Sequence, residues 1–172
     1  MLDVAFDYNE YEFSSVKECD INILYRWMKK NNNEDNVSML DEQILYRRFL
    51  ECYVTEDEFF IKVVKNNKIH GVIKGSINRD KKKELFLWLF VVDKENRNRG
   101  EGKRIIKIFL NYICKKYSLV SVKVGVSSDN IKALDFWEYL GFKVHRTCKN
   151  FFQISDTVFA NLVVMNKEKI LV

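Results

Sequence analysis

Two glycines two positions apart, set among positive charges, are the residues whose spacing points most directly to chemistry. Gly100 and Gly102 follow an apolar stretch that ends at Val92 and precede an amphipathic stretch that reaches Tyr117. Unpaired N–H groups and the dipole at the start of a helix can bind an anion, and glycine lets the anion approach because it has no Cβ atom. The segment therefore predicts a phosphate site, with charges from Arg97, Arg99, Lys103 and Arg104.

Other phosphate-binding loops are excluded by the spacing. The segment matches neither G-x-x-x-x-G-K-[ST] nor G-x-G-x-x-G. A lone G-x-G is also typical of an ordinary tight turn between a strand and a helix. Glu101 would place a negative charge beside the anion unless its side chain points away.

A second segment, thirty residues further on, matches the first. Asn130, Ala133 and Trp137 are spaced by three and four residues, so they share one helix face. A small residue between an amide and a large aromatic leaves room for a thin ligand chain. Gly141 is expected to end this helix, and Phe142 to begin a strand. The alternative interpretation is an ordinary amphipathic helix capped by an asparagine.

Together the two segments resemble the GNAT superfamily of acetyl-coenzyme-A-dependent N-acetyltransferases. The [R/Q]-x-x-G-x-[G/A] signature corresponds to residues 97–102, and N-x-x-A-x-x-x-aromatic-x-x-x-G-F corresponds to residues 130–142. The clear match covers about residues 59–148, and residues 1–58 fit loosely as the variable opening part.

The resemblance implies a cofactor site and a reaction. Acetyl-CoA would be the acyl donor, with its pantetheine arm beside a splayed strand end and its pyrophosphate on the loop amides. An unidentified primary amine would attack the thioester directly, assisted by proximity, carbonyl polarisation and proton transfer. The residues expected to bind the cofactor are Phe90, Val91, Val92, Arg97, Asn98, Arg99, Gly100, Glu101, Gly102, Lys103, Asn130, Ala133 and Trp137.

The chain departs from the family pattern where proton transfer takes place. Trp137 stands where members commonly have a tyrosine acid, and an indole N–H is too weak an acid to replace it. Tyr139 lies about 200° further round the helix. No catalytic residue is assigned, and Tyr139 is only a weak candidate.

Two positions that often carry a basic carboxylate hold Phe86 and Gly125. Glu84 shares a strand face with Phe86 and is the other weak catalytic candidate, although a surface charge at a strand end is the alternative. Lys94 stands in place of a common proline. His70 and His145 have no carboxylate or cysteine partner by spacing, so we expect no role for either.

The secondary-structure pattern predicts the elements that must position these residues. Ser15 to Lys30 predicts a helix with Ser15 and Glu18 as its capping box, before a polar break at 31–36. The helices that follow are predicted at 41–53 (with Ser38 as an alternative start), 100–117 and 130–140, and the strands at 59–65, 69–78, 84–92, 119–126, 142–147 and 158–165. Residues 84–92 are apolar on both faces, which favours a covered central strand.

We therefore expect an α/β fold: one domain over 1–172, with a mixed, mostly antiparallel sheet of six to seven strands and about four helices. Composition supports a globular core, since the chain is 47% hydrophobic and 14% aromatic and has six glycines and no proline. Four cysteines without a C-x-x-C pair indicate reduced thiols, no metal site and a cytoplasmic location. No signal peptide or membrane span is predicted.

Three functions stay open at this point. An N-acetyltransferase is favoured, and a catalytically idle acyl-CoA-binding or regulatory domain is the alternative. The third is a ribosome-associated role, which would require a nucleic-acid partner. It is the weakest interpretation because the net charge of +5 is spread along the chain. A monomer and a homodimer are equally compatible with the sequence.

Overall fold

The computed structural model describes residues 1–31, 41–79, 83–153 and 157–168. Its elements in chain order are β1 (Ala5–Tyr8), β2 (Tyr11–Ser15), α1 (Ile21–Asn31), α2 (Glu42–Val54), β3 (Glu58–Lys65), β4 (Lys68–Asn78), β5 (Glu84–Val92), α3 (Glu101–Tyr117), β6 (Ser121–Ser127), α4 (Ile131–Tyr139), β7 (Lys143–Gln153) and β8 (Phe159–Glu168). Short 3₁₀ helices occupy Glu18–Asp20 and Lys94–Asn96. In the described ranges, no helix is long and apolar enough to cross a bilayer.

The strands form an eight-stranded sheet in the order β1-β2-β3-β4-β5-β6-β8-β7. The pair β5–β6 is parallel, while β1–β2, β2–β3, β3–β4, β6–β8 and β7–β8 are antiparallel. This confirms the mixed, mostly antiparallel α/β fold, with a slightly higher strand count than predicted. The opening segment forms the β1–β2 hairpin, and Asn9 supplies the left-handed turn residue with φ of 52°.

The start of the first helix was predicted wrongly. Ser15 is the last residue of β2, and its Oγ accepts from the N–H of Val4 at 2.9 Å instead of capping a helix. The turn that precedes α1 is closed by Asp20, whose carboxylate accepts from the N–H of Lys17 at 2.9 Å. Ser15 therefore takes part in the β-sheet, although its local sequence is typical of a helix N-cap. The alternative start of the second helix at Ser38, and residues 32–36 of the polar break, lie outside the described residues.

The central position of β5 is confirmed, but its coverage on both faces is not. Leu85 and Leu87 are buried on one face, whereas Phe86 is half-buried and Trp88 is 51% exposed on the other. The rings of Phe86 and Trp88 are in contact in a tilted arrangement, with centroids 4.1 Å apart and an interplanar angle of 35°. Contact between aromatic side chains along an open face therefore accounts for a pattern that resembles a fully covered strand.

The chain groups into two compact units, of which the first contains Met1–Ser76 and Leu89–Phe109. Its helices α1 and α2 bury their apolar faces with β3 and β4. Phe59 and Phe109 extend this core with ring centroids 5.5 Å apart. At Gly71 an added Cβ would lie 3.2 Å from the carbonyl oxygen of Val91, so glycine allows β4 to approach β5 closely. The buried cluster consists of Val16, Ile21, Leu24, Met28, Leu45, Phe49, Cys52, Phe60 and Val72.

The second unit contains Ile77–Trp88 and Leu110–Val172. In β6 the buried positions alternate with half-buried ones, as expected for a strand with one covered face. Trp137 of α4 is 5% exposed and meets the ring of Phe142 edge-on at 5.0 Å. Gly141, with φ of 86°, ends α4 as predicted, because its left-handed backbone stops the helix.

Candidate functional site

The turn that precedes α3 has the backbone geometry of an anion site. The first intrahelical bond runs from the N–H of Arg104 to the carbonyl of Gly100 at 3.0 Å, so the amides of Glu101 and Gly102 have no partner within the helix. Asn98 and Gly100 have left-handed φ angles of 60° and 78°. Nothing lies within 4 Å of a Cβ added at Gly100, so this glycine serves the backbone conformation and faces open space.

The side chain of Glu101 is engaged by other residues of the protein, so its negative charge is not left unpartnered beside the predicted anion site. Its Oε1 accepts from the Tyr11 hydroxyl at 2.8 Å and lies 3.0 Å from Nδ1 of His70, and its side chain is 13% exposed. The expectation that His70 lacks a carboxylate partner is therefore wrong. Sequence spacing could not reveal the partner because His70 and Glu101 are 31 positions apart. Tyr11 and His70 thus fix the first residue of α3.

Arg97 ties the loop to its surroundings. Its Nε donates to the carbonyl of Val92 at 2.9 Å, and a terminal nitrogen donates to the carbonyl of Asn31 at 2.6 Å. Burial lowers the pKa of this guanidinium, although arginine stays protonated at neutral pH. The structure therefore gives Arg97 a role in shaping the loop, and its contact with phosphate stays a prediction.

Asn31, the last residue of α1, was missed by the sequence reasoning. It is 1% exposed, and its Oδ1 accepts from the N–H of Lys94 at 2.5 Å while its Nδ2 donates to the carbonyl of Trp27. A proline at position 94, common in the family, has no N–H to donate. Lys94 and Asn31 are thus a matched pair, which no local pattern in the sequence reveals.

The other predicted residues of the loop differ in exposure. Asn98 and Arg99 are exposed, whereas Gly102 and Lys103 are half-buried. Arg104 lies 3.3 Å from Glu10, which gives it an acidic neighbour on the β1–β2 turn. The three β5 residues expected to contact the cofactor, Phe90, Val91 and Val92, are half-buried.

The parallel pairing of β5 with β6 ends inside both strands. The register runs from Glu84 opposite Ser121 to Leu87 opposite Val124, although β6 continues to Ser127. Beyond this register, β6 continues its pairing with β8 on its other side.

Helix α4, which belongs to the second compact unit, carries the second group of predicted residues. Asn130 is the N-cap, with Oδ1 accepting from the N–H of Ala133 at 3.1 Å. Trp137 lies in the core, also edge-on to Phe136 at 5.2 Å, while Tyr139 is 70% exposed. The cap and the packed indole match the structural interpretation of this helix, and a ligand contact stays a prediction.

The positions that could carry a catalytic base are filled by apolar side chains, or, at Glu84, carry a carboxylate that is paired with a cation. An added Cβ at Gly125 would lie 3.5 Å from the Phe86 ring and 3.1 Å from Cδ1 of Leu162, so no carboxylate fits there without displacement. Glu84 lies 2.6 Å from Nζ of Lys123, and both side chains are under 20% exposed. Glu84 is therefore an ion-paired residue rather than an unpartnered surface charge.

Comparison with known proteins identifies the class of the chain. The family "Acetyltransferase (GNAT) domain" matches residues 13–163. The chain belongs to this family and is an acyltransferase. No curated protein matches it by sequence.

Solved structures share the fold. The ribosomal-protein-S18-alanine N-acetyltransferase of Escherichia coli is 16% identical, with a TM-score of 0.71 over 92% of this chain and 94% of that one. The Salmonella typhimurium acetyl transferase that modifies the N-terminal serine of ribosomal protein L7/L12 is 10% identical, with a TM-score of 0.79 over 94% and 96%. The spermidine/spermine N-acetyltransferase of Vibrio cholerae is 14% identical, with a TM-score of 0.70 over 93% of both chains.

Proposed function

We propose that the protein transfers an acetyl group from acetyl-CoA to a primary amine. The observation that carries the proposal is the turn before α3, where the amides of Glu101 and Gly102, without intrahelical partners, follow two left-handed residues. Because Glu101 is engaged by Tyr11 and His70, the carboxylate inside the signature is compatible with an anion at those amides. The family generally uses acetyl-CoA, which supports this donor.

In this proposal the loop fixes the diphosphate of the donor. The amides of Glu101 and Gly102 donate to phosphate oxygens, and the exposed side chain of Arg99 adds a charge-assisted contact. Arg97 keeps the loop in this conformation through its two bonds to backbone carbonyls. Phe90 to Val92, Lys103 and the α4 residues Asn130, Ala133 and Trp137 retain the cofactor-binding roles that the family resemblance implies.

Proton transfer then depends on solvent and on the substrate. Trp137 cannot act as an acid, Phe86 and Gly125 cannot act as bases, and the carboxylate of Glu84 is engaged by Lys123 at 2.6 Å. The attacking amine must be neutral, since an ammonium has no lone pair. We therefore expect the rate to rise tenfold per pH unit below the pKa of the acceptor amine and to level off above it.

The test is thiol release from acetyl-CoA over a panel of amines. The panel should contain peptides with N-terminal alanine and serine, spermidine and free amino acids, so that it spans the substrates named for the structural relatives. Acetyl transfer to one member supports the proposal. CoA binding without release on any amine contradicts it and favours an idle acyl-CoA-binding domain.

The idle domain is a second candidate because of particular residues. Trp137 is packed between two aromatic rings, and Phe86 and Leu162 fill the space in front of Gly125. The substitution Trp137→Tyr separates the two candidates. If a missing acid limits the rate, Trp137→Tyr holds or raises thiol release, whereas an idle domain shows none in either form.

A further inference from the structure

The second unit contains a small polar cavity outside the loop already described. Its volume is about 260 Å³, and it is lined by Glu84, Phe86, Lys123, His145, Arg146 and Val164. That is the space of roughly nine water molecules, and it lies just below the 300–1,000 Å³ of common ligand pockets. The cavity therefore suits one amino-acid-sized group.

A β-bulge brings two neighbouring residues into this cavity. Val144 is paired with Met165 and Arg146 with Val164, so His145 is an extra residue in β7. In a regular strand, adjacent side chains point to opposite faces, whereas a bulge redirects one of them. His145 and Arg146 consequently line the same space.

The charges of the lining leave Arg146 available to an anion. Glu84 is paired with Lys123 at 2.6 Å and accepts from the Ser121 hydroxyl at 3.4 Å. Arg146 is exposed, and among the described residues it has no acidic partner within 4.0 Å. Phe86 and Val164 supply apolar surface for the carbon chain of a ligand.

We propose that this cavity binds a carboxylate group of the acceptor, with Arg146 as its main contact and a residue that determines specificity. The inference rests on the proposed acetyl transfer. The planar guanidinium matches a carboxylate with two parallel hydrogen bonds, and the single charge of a carboxylate is repelled less by Glu84 than a doubly charged phosphate is. Acceptors that carry a carboxylate are then favoured over polycationic amines.

The test is a chemical-shift titration of the full chain with succinate, in the absence of coenzyme A. Succinamide is the uncharged analogue, and inorganic phosphate tests the other anion chemistry. We expect succinate to move the amide signals of His145 and Arg146, with a dissociation constant at least tenfold lower than that of succinamide and below that of phosphate.

Two substitutions should act in opposite directions. Arg146→Gln should weaken succinate binding at least tenfold, and Glu84→Gln should strengthen it severalfold because Lys123 loses its partner. Lys149→Gln, on the same strand but outside the lining, is the matched control and should leave affinity unchanged. The spectra also report whether each variant is folded.

The absence of succinate binding overturns the proposal, and so does equal binding of succinamide, tighter binding of phosphate or unchanged affinity in folded Arg146→Gln. Failure of the proposed acetyl transfer is a different result. It would appear as missing thiol release, with or without coenzyme A binding, while the succinate titration stayed as expected. Intact transfer without succinate binding overturns the cavity assignment alone.

Discussion

Replacing Arg97 by glutamine tests whether this residue shapes the loop. The substitution removes hydrogen bonds of 2.9 Å to Val92 and 2.6 Å to Asn31. A bond from a charged donor contributes about 1.5–3 kcal/mol, so the loss for this half-buried pair should be about 3 kcal/mol. That is a large share of a total stability of about 5–15 kcal/mol.

Urea unfolding measures this loss. With a slope of about 2 kcal/mol per molar, the midpoint of Arg97→Gln should fall by about 1.5 M with an unchanged slope. Arg97→Lys keeps the positive charge but loses the planar set of guanidinium donors, so its urea midpoint should lie between those of the wild type and Arg97→Gln. Coenzyme A affinity should fall in both variants because the loop amides lose their fixed positions.

Arg99→Gln is the matched control on the same loop. Arg99 is exposed, so its removal should change the unfolding free energy by less than about 0.5 kcal/mol. Loss of a direct phosphate contact should nevertheless weaken coenzyme A binding by about tenfold. If Arg97→Gln keeps the wild-type midpoint and loses affinity as Arg99→Gln does, Arg97 is a phosphate ligand and the reasoning is refuted.

Three further predictions concern the anchors of the site and the thiols. Burial raises the pKa of Tyr11. The stability that its hydroxyl contributes through the hydrogen bond to Glu101 is therefore complete below about pH 10 and is lost as the pH rises through the pKa of Tyr11 in the folded protein. Tyr11→Phe should lower the unfolding free energy by about 1.5–3 kcal/mol at pH 8 and by less above pH 10; a constant difference contradicts this. Asn130→Ala should cost about 1 kcal/mol in urea unfolding through loss of the cap, and Asn130→Ser should restore most of it; equal losses would contradict the capping role. At pH 8 a thiol-specific dye should label exposed Cys19 quickly. Rapid labelling of Cys52 or Cys114 in the folded protein would contradict the burial of these two thiols, which raises the pKa of Cys52 to about 11 and of Cys114 to about 12.

Local signals in the sequence predicted the elements that carry the site. The amphipathic stretch that reaches Tyr117 predicted α3, and the left-handed glycine at 141 ended α4 where expected. These predictions succeed because helix stripes and C-terminal glycines depend on residues within a few positions of one another. The same locality explains why Ser15 was misassigned, since its partner Val4 is reached only through the sheet.

The contacts that hold the loop could not be predicted in this way. Glu101 meets Tyr11 and His70 from β2 and β4, and Asn31 meets Lys94 across 63 positions. None of these pairs has a periodicity or a motif. The bulge at His145 could not be predicted either. It arises from the register between β7 and β8, which is set by how the two strands pair and not by a local sequence pattern.

Coenzyme A binding to the α3 turn is the central claim, and a calorimetric titration of Gly102→Glu tests it most directly. Glutamate at the second helical position suits both helix propensity and the dipole, so the fold should survive, while charge and bulk should exclude the diphosphate. Gly102→Gln, equal in size but uncharged, separates the two effects. The proposal predicts saturable binding to the wild type, weaker binding to Gly102→Gln and none to folded Gly102→Glu. Unchanged affinity in Gly102→Glu would contradict it.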